Sequence, residues 1–265
     1  MYYRAGLTLD SVATYLWGKS WRSKSSFPLH DTVEGDYIFV DARPWNPAKK
    51  PQDWTIKVYG QDTLYRYLGD EYQQDHTLYV KKYAIEAKRR VLMVRWNAPD
   101  ILELRVPSDE SRQRIDGWGS RLWQMMKQGL QKPEFIEWDL SVARRNLISQ
   151  WEKTPAYQKM YSFRDTLLVD PYATAASFQP NSPQGNLFSS IYAKAAVNGL
   201  LESNSECAQI TITWQKREGE PPFKNLNTEL GLRRKTNELI VREHCSAMDL
   251  DYVTEQLRHF NRKAT

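Results

Sequence analysis

The chain has 265 residues, enough for one large domain or two modest ones with a substantial core. Hydrophobic residues make up 41% and charged residues 26%, which excludes a disordered or fibrous chain. No apolar run reaches the length that spans a bilayer, so no membrane partner is expected. The net charge of +5 and the pI near 9.0 mildly favour an acidic partner.

The composition adds two further expectations. Ten Trp and 15 Tyr point to binding, because these side chains anchor interfaces and stack on bases. The opening MYYRAGLTLD has no apolar signal core, so the expected location is intracellular, cytoplasmic or nuclear. The two cysteines make no disulfide framework. Neither a CxxC pair nor a His-rich cluster marks a metal, so no cofactor is expected.

In chain order, Thr8 caps a first helix over 8–17, with Leu9, Val12, Ala13 and Leu16 on one face. Gly18-Lys19-Ser20 ends it and imitates the close of a phosphate-binding loop. That loop needs a glycine where Ala13 stands, and a strand where the helix stands, so it is rejected. A basic Ser-rich connector leads to the strands DYIFVDAR and DWTIKVYG. Asp62 is expected to cap a short helix through Leu68. TLYVKKYAIEAK reads as a strand, and RRVLMVRW with DILELRV reads as a hairpin turning at Asn97–Asp100.

Helical spacing then takes over at 111–130, through Ile115, Trp118, Leu122, Met126 and Leu130. It returns at 139–152, through Leu140, Ala143, Leu147 and Trp151. Residues 170–186 are rich in Pro, Ser, Asn and Gln and form the expected boundary. It separates an N-terminal α+β region, 1–170, from a C-terminal hairpin–helix region, 171–265. Beyond it come a helix in NLFSSIYAKAAVNGLL, strands AQITITWQ and TNELIVREHC, and a closing helix with Leu250, Val253, Leu257 and Phe260 on one face.

A hairpin followed by a helix therefore occurs twice, ending in the helices at 111–130 and 247–260. The expected fold is α+β: two β-hairpin–helix units forming antiparallel sheet with helices on one face, plus an N-terminal helix and a small strand region. Trp96 opposite Ile101 would put Val91 and Met93 on the core face with Leu102, Leu104 and Val106. In the second hairpin, pairing of AQITITWQ with TNELIVREHC would bring Cys207 and Cys245 together as free thiols.

Basic residues supply the main functional expectation. The nucleic-acid contacts are assigned to Lys19, Trp21, Arg22 and Lys24; to Lys81, Lys82, Lys88, Arg89, Arg90 and Arg95; to Arg144 and Arg145; and to Arg233, Arg234 and Lys235 in the second hairpin loop. Over 78–130, eleven cations against six acids give +5, the net charge of the whole chain. The expectation is a non-catalytic nucleic-acid-binding protein, with DNA the expected form. It would be a subunit of a larger nucleoprotein or genome-defence complex, with other protein subunits as partners.

Two alternatives stand beside it. Ile85-Glu86-Ala87-Lys88 carries the acid-x-Lys spacing of a restriction-type nuclease. There Asp75 (or Asp70) and Glu86 would hold Mg²⁺ and Lys88 would orient water. The other alternative is a protein–protein adaptor whose aromatics are interface anchors. His244 and Cys245 are adjacent on a strand and face opposite ways, so they make no nucleophile pair.

Overall fold

The computed structural model describes residues 8–17, 37–72, 79–106, 112–129, 138–182, 185–233, 236–241 and 244–262. The fold is mixed α+β with antiparallel sheets and helices. The chain forms two compact units, Met1–Ile136 and Glu137–Thr265. The 170–186 stretch, read from its composition as a boundary, runs inside the second unit.

The N-terminal unit begins with α1 (Leu9–Trp17), where the Thr8 hydroxyl accepts from the Ser11 N–H at 3.2 Å, as a cap should. Four strands follow as an antiparallel meander: β1 (Tyr37–Asn46), β2 (Lys50–Tyr72), β3 (Tyr79–Asn97) and β4 (Ile101–Arg105). Helix α2 (Arg112–Gly129) closes the unit. Alternate residues build the core face: Trp54, Ile56 and Val58 on β2, Leu92, Val94 and Trp96 on β3, and Leu102 on β4. Val12 of α1 and Trp118, Leu122 and Met126 of α2 pack on that face. Trp54 and Trp96 are register partners, and their rings stack with centroids 6.5 Å apart.

Two sequence expectations need correction here. Trp96 pairs with Leu102, not Ile101, so Leu92 and Val94 are buried while Val91 is exposed. A one-residue slip exchanges the faces of a strand. Arg95 shares the face of Val91 and Met93, which keeps this charge out of the apolar layer. The expected helix from Asp62 to Leu68 is also absent, because β2 runs on to Tyr72 and pairs with β3 as far as Tyr72↔Tyr79. Long-range pairing with β3 overrides the local cap signal of Asp62. A bulge between Tyr67 and Gly69 kinks this stretch, and Gly69 there takes a φ of +136° that disfavours any other residue.

The C-terminal unit opens with α3 (Ser141–Lys153) and the short α4 (Pro155–Met160). Next come β5 (Tyr161–Val169), β6 (Ala175–Phe178), a 3₁₀ turn and α5 (Ile191–Glu202). Strands β7 (Glu206–Trp214), β8 (Leu226–Arg233) and β9 (Thr236–Val241) precede α6 (Ala247–Phe260). The sheet order is β6-β5-β7-β8-β9, antiparallel throughout. Tyr161, Phe163, Ile210, Ile212, Trp214, Leu226 and Leu230 face a core completed by Leu147 and Trp151 of α3 and Val253, Leu257 and Phe260 of α6. Ser246 and Asp249 form a capping box on α6, and Asp249 also accepts from the Phe223 N–H at 2.9 Å.

Strand β8 lies between the two strands expected to pair and separates them. Its signal was the two-residue repeat Leu226, Thr228, Leu230, broken visually by Gly231. With β8 between them, β7 and β9 run parallel, so Cys207 at the start of β7 and Cys245 after β9 lie at opposite ends of the sheet. Both are free thiols, and burial pushes the Cys207 thiol up to about 11.

Candidate functional site

The β2–β3 hairpin outruns its sheet. Strand β1 pairs with β2 only as far as Tyr37↔Gly60, and β4 meets β3 only over Met93–Asn97. Beyond them, residues 61–72 and 79–89 form a two-stranded ribbon with no third strand among the described residues. At 3.3 Å per residue it extends about 40 Å.

Directly opposed residues of an antiparallel pair share a face. Tyr65 pairs with Ile85 and Tyr67 with Tyr83, so these four make one apolar stripe. They are 64%, 70%, 50% and 49% exposed, respectively. The Tyr67 and Tyr83 rings meet edge to face at 5.7 Å. A hydrogen bond to Asp70 raises the Tyr67 phenol to about 12, so it stays a neutral donor at physiological pH. Arg66, Lys81 and Lys82 are exposed; Lys81 shares the stripe's face, and Arg66 and Lys82 lie on the other face of the ribbon. Acids balance part of that charge: Arg66 Nε lies 3.6 Å from Glu86 Oε1, and Asp70 is the register partner of Lys81 across the ribbon.

In the sheet proper, the face away from the apolar core, which alternation makes the same face as the stripe, holds a buried ionic network. Arg95 has no exposed surface and contacts Asp53 Oδ2 at 3.1 Å, while Asp53 Oδ1 accepts from the Ala98 N–H at 3.0 Å. Glu103 accepts from Asn97 at 3.1 Å and from Arg105 Nε at 2.8 Å. Trp45 lies under both guanidiniums, 4.3 Å from that of Arg95 and 5.6 Å from that of Arg105. Burial depresses the Arg95 guanidinium, against the pull of Glu103 and Asp53. Burial alone would raise the Glu103 carboxyl, but Arg105 and Arg95 outweigh it and hold the group below its ordinary range.

The predicted contact residues therefore divide. Lys81, Lys82 and Arg145 are exposed. Arg90, Arg95 and Arg144 are buried, which removes them from any contact surface. Arg90 stacks on Trp118 at 4.7 Å, and Arg144 donates from Nε to the Cys207 carbonyl at 2.6 Å. Lys88 and Arg89 lie on β3 opposite Asp62 and Gln61, and Arg233 ends β8. Lys19, Trp21, Arg22, Lys24, Asp75, Arg234 and Lys235 fall outside the described residues. Sequence reasoning missed Tyr65, Tyr67, Tyr83 and Ile85, whose two-residue spacing was the available signal, and Arg66 between the first two.

For the nuclease alternative, Asp70 is excluded as the partner of Glu86. It sits opposite Lys81, five residues along β3 from Glu86, or about 17 Å. Ligands of one Mg²⁺ lie about 2 Å from the ion. Among the described residues, no three His, Cys, Asp or Glu side chains come together to hold a metal ion. Among them, too, no helix is long and apolar enough to cross a membrane. No sequence model of a known protein family matches the chain, and no curated protein matches it either.

Proposed function

We propose that this chain is a non-catalytic nucleic-acid-binding protein, a subunit of a larger nucleoprotein or genome-defence complex, whose contact element is the tyrosine face of the β2–β3 ribbon. One observation carries the reading: three tyrosines stand exposed on one face of an open ribbon, with Lys81 on that face and Arg66 and Lys82 on the other. Tyr65 and Tyr67 are two residues apart, about 7 Å along the strand, a spacing that lets successive unstacked bases each meet a ring.

DNA is the proposed form, and stacking supplies most of the affinity. Three exposed cations neutralise at most three phosphates, and at about −0.7 per phosphate on a single strand the log–log dependence of affinity on salt should be no steeper than about −2. Fluorescence anisotropy with a single-stranded oligonucleotide tests this. Binding weakened by Tyr65→Ala at unchanged thermal stability supports the proposal. Absence of binding at low salt, or binding indifferent to Tyr65 and Tyr83, overturns it.

The cross-strand balance of charge favours one second reading, a protein–protein adaptor anchored by the same stripe. A complex that survives high salt, with no absorbance excess at 260 nm, would select it.

A further inference from the structure

A two-stranded ribbon is marginal in water by itself, and a long open strand edge is a template for another strand. The ribbon has two such edges, and they differ. The β2 edge is broken by the bulge between Tyr67 and Gly69, a device that blunts pairing. The β3 edge from 79 to 92 is regular, with no strand beside it among the described residues.

We propose that the β3 edge pairs with the β3 edge of a second copy of this chain, antiparallel and centred on Ala84. The sequence around that residue is complementary to itself. About the two-fold, Lys82 falls opposite Glu86 of the second copy, and Glu86 opposite Lys82, giving two symmetric charge pairs. Tyr83 falls opposite Ile85 of the second copy, and Ile85 opposite Tyr83, giving two apolar pairs on the tyrosine face. Shifting the centre by one residue to Ile85 would set Lys82 against Lys88, so the register is selected by charge as well as by fit. Lys82, Tyr83, Ile85 and Glu86 are exposed and Ala84 is half-buried, so the edge is accessible. The contact of Glu86 with Arg66 is exposed and offers little resistance to re-pairing. The product is a four-stranded sheet, β2-β3-β3-β2, in which the apolar stripes of both copies join into one band. Edge pairing leaves both faces of that sheet open, so it does not depend on what the tyrosines bind.

Sedimentation velocity on the full chain from about 1 to 100 μM is the test. The wild type should dimerise. Lys82→Glu and Glu86→Lys should each weaken the dimer about tenfold or more, because each places like charges at both symmetric contacts. Mixing the two single variants should restore a heterodimer, since each contact then sets an acid of one variant against a lysine of the other. That rescue also excludes misfolding as the cause of the single-variant defects. A wild type monomeric throughout, a dimer indifferent to both reversals, or a mixture that fails to associate would each overturn the proposal. Oligonucleotide binding by a monomer would sink the dimer and leave the proposed function standing.

Discussion

The two units follow one plan and part company at their connections. Each runs helix, four-strand antiparallel meander, helix, if the short α4 and the insertion of β6 and α5 between β5 and β7 are set aside. The N-terminal unit joins its first two strands by a tight turn at 47–49 and extends the second connection into the ribbon. The C-terminal unit does the reverse. It inserts β6 and α5 early and holds its second connection, 215–225, close to the fold. There Lys216 N–H donates to Asn225 at 2.8 Å, Arg217 N–H to the Pro222 carbonyl at 3.0 Å, and Phe223 N–H to Asp249 at 2.9 Å. A connection whose backbone groups are satisfied by its own unit serves stability. One that leaves tyrosines in water presents a surface for something else.

The sharpest break in that contrast should come from the arginine network under Trp45. Asp53→Ala strands a buried Arg95 charge and should lower unfolding stability by about 3–5 kcal/mol in urea titration, a loss Lys81→Ala should not share. Next, Tyr65→Ala or Tyr83→Ala should reduce oligonucleotide affinity by about 1–3 kcal/mol, measured by anisotropy, while melting stays within the range of a surface substitution. A ribbon tyrosine that destabilises the fold as a core residue does would erase the distinction between the two connections.

Asp249→Ala should cost about 1–2 kcal/mol, because it removes the α6 cap and the anchor of loop 215–225 together. Burial would raise this carboxyl, but the Phe223 and Ser246 hydrogen bonds prevail and lower its pKa in the folded state. Its contribution is therefore present above the unfolded carboxyl value near 4 and is lost as pH falls through the lower folded value. Thermal melts between about pH 2 and 6 should show a flatter acid limb for the variant. The smallest effect expected is on stability in Lys82→Ala, within about 0.5 kcal/mol.

Much of the layout was legible in the chain alone. The stripes of Trp118, Leu122 and Met126 and of Val253, Leu257 and Phe260 announced α2 and α6, because a 3.6-residue apolar period has few other uses. The β3–β4 hairpin was equally plain. The repeat of hairpin then helix was legible too, but its members were misassigned. The matching hairpin is β8–β9, with β7 the strand before it.

What sequence determined by itself, then, is the inventory: the helices with their inward faces, the strand-rich segments and the antiparallel class. Local periodicity and capping are short-range properties and can be read residue by residue. Tertiary structure alone decided which face of β3 is core, that 62–68 extends as strand, and which arginines reach water. Those outcomes depend on partners tens of residues away. Val91 and Leu92 are equally apolar until Trp54 and Trp118 select one of them, and Arg95 is indistinguishable from Lys81 as a charge until Asp53 and Trp45 enclose it.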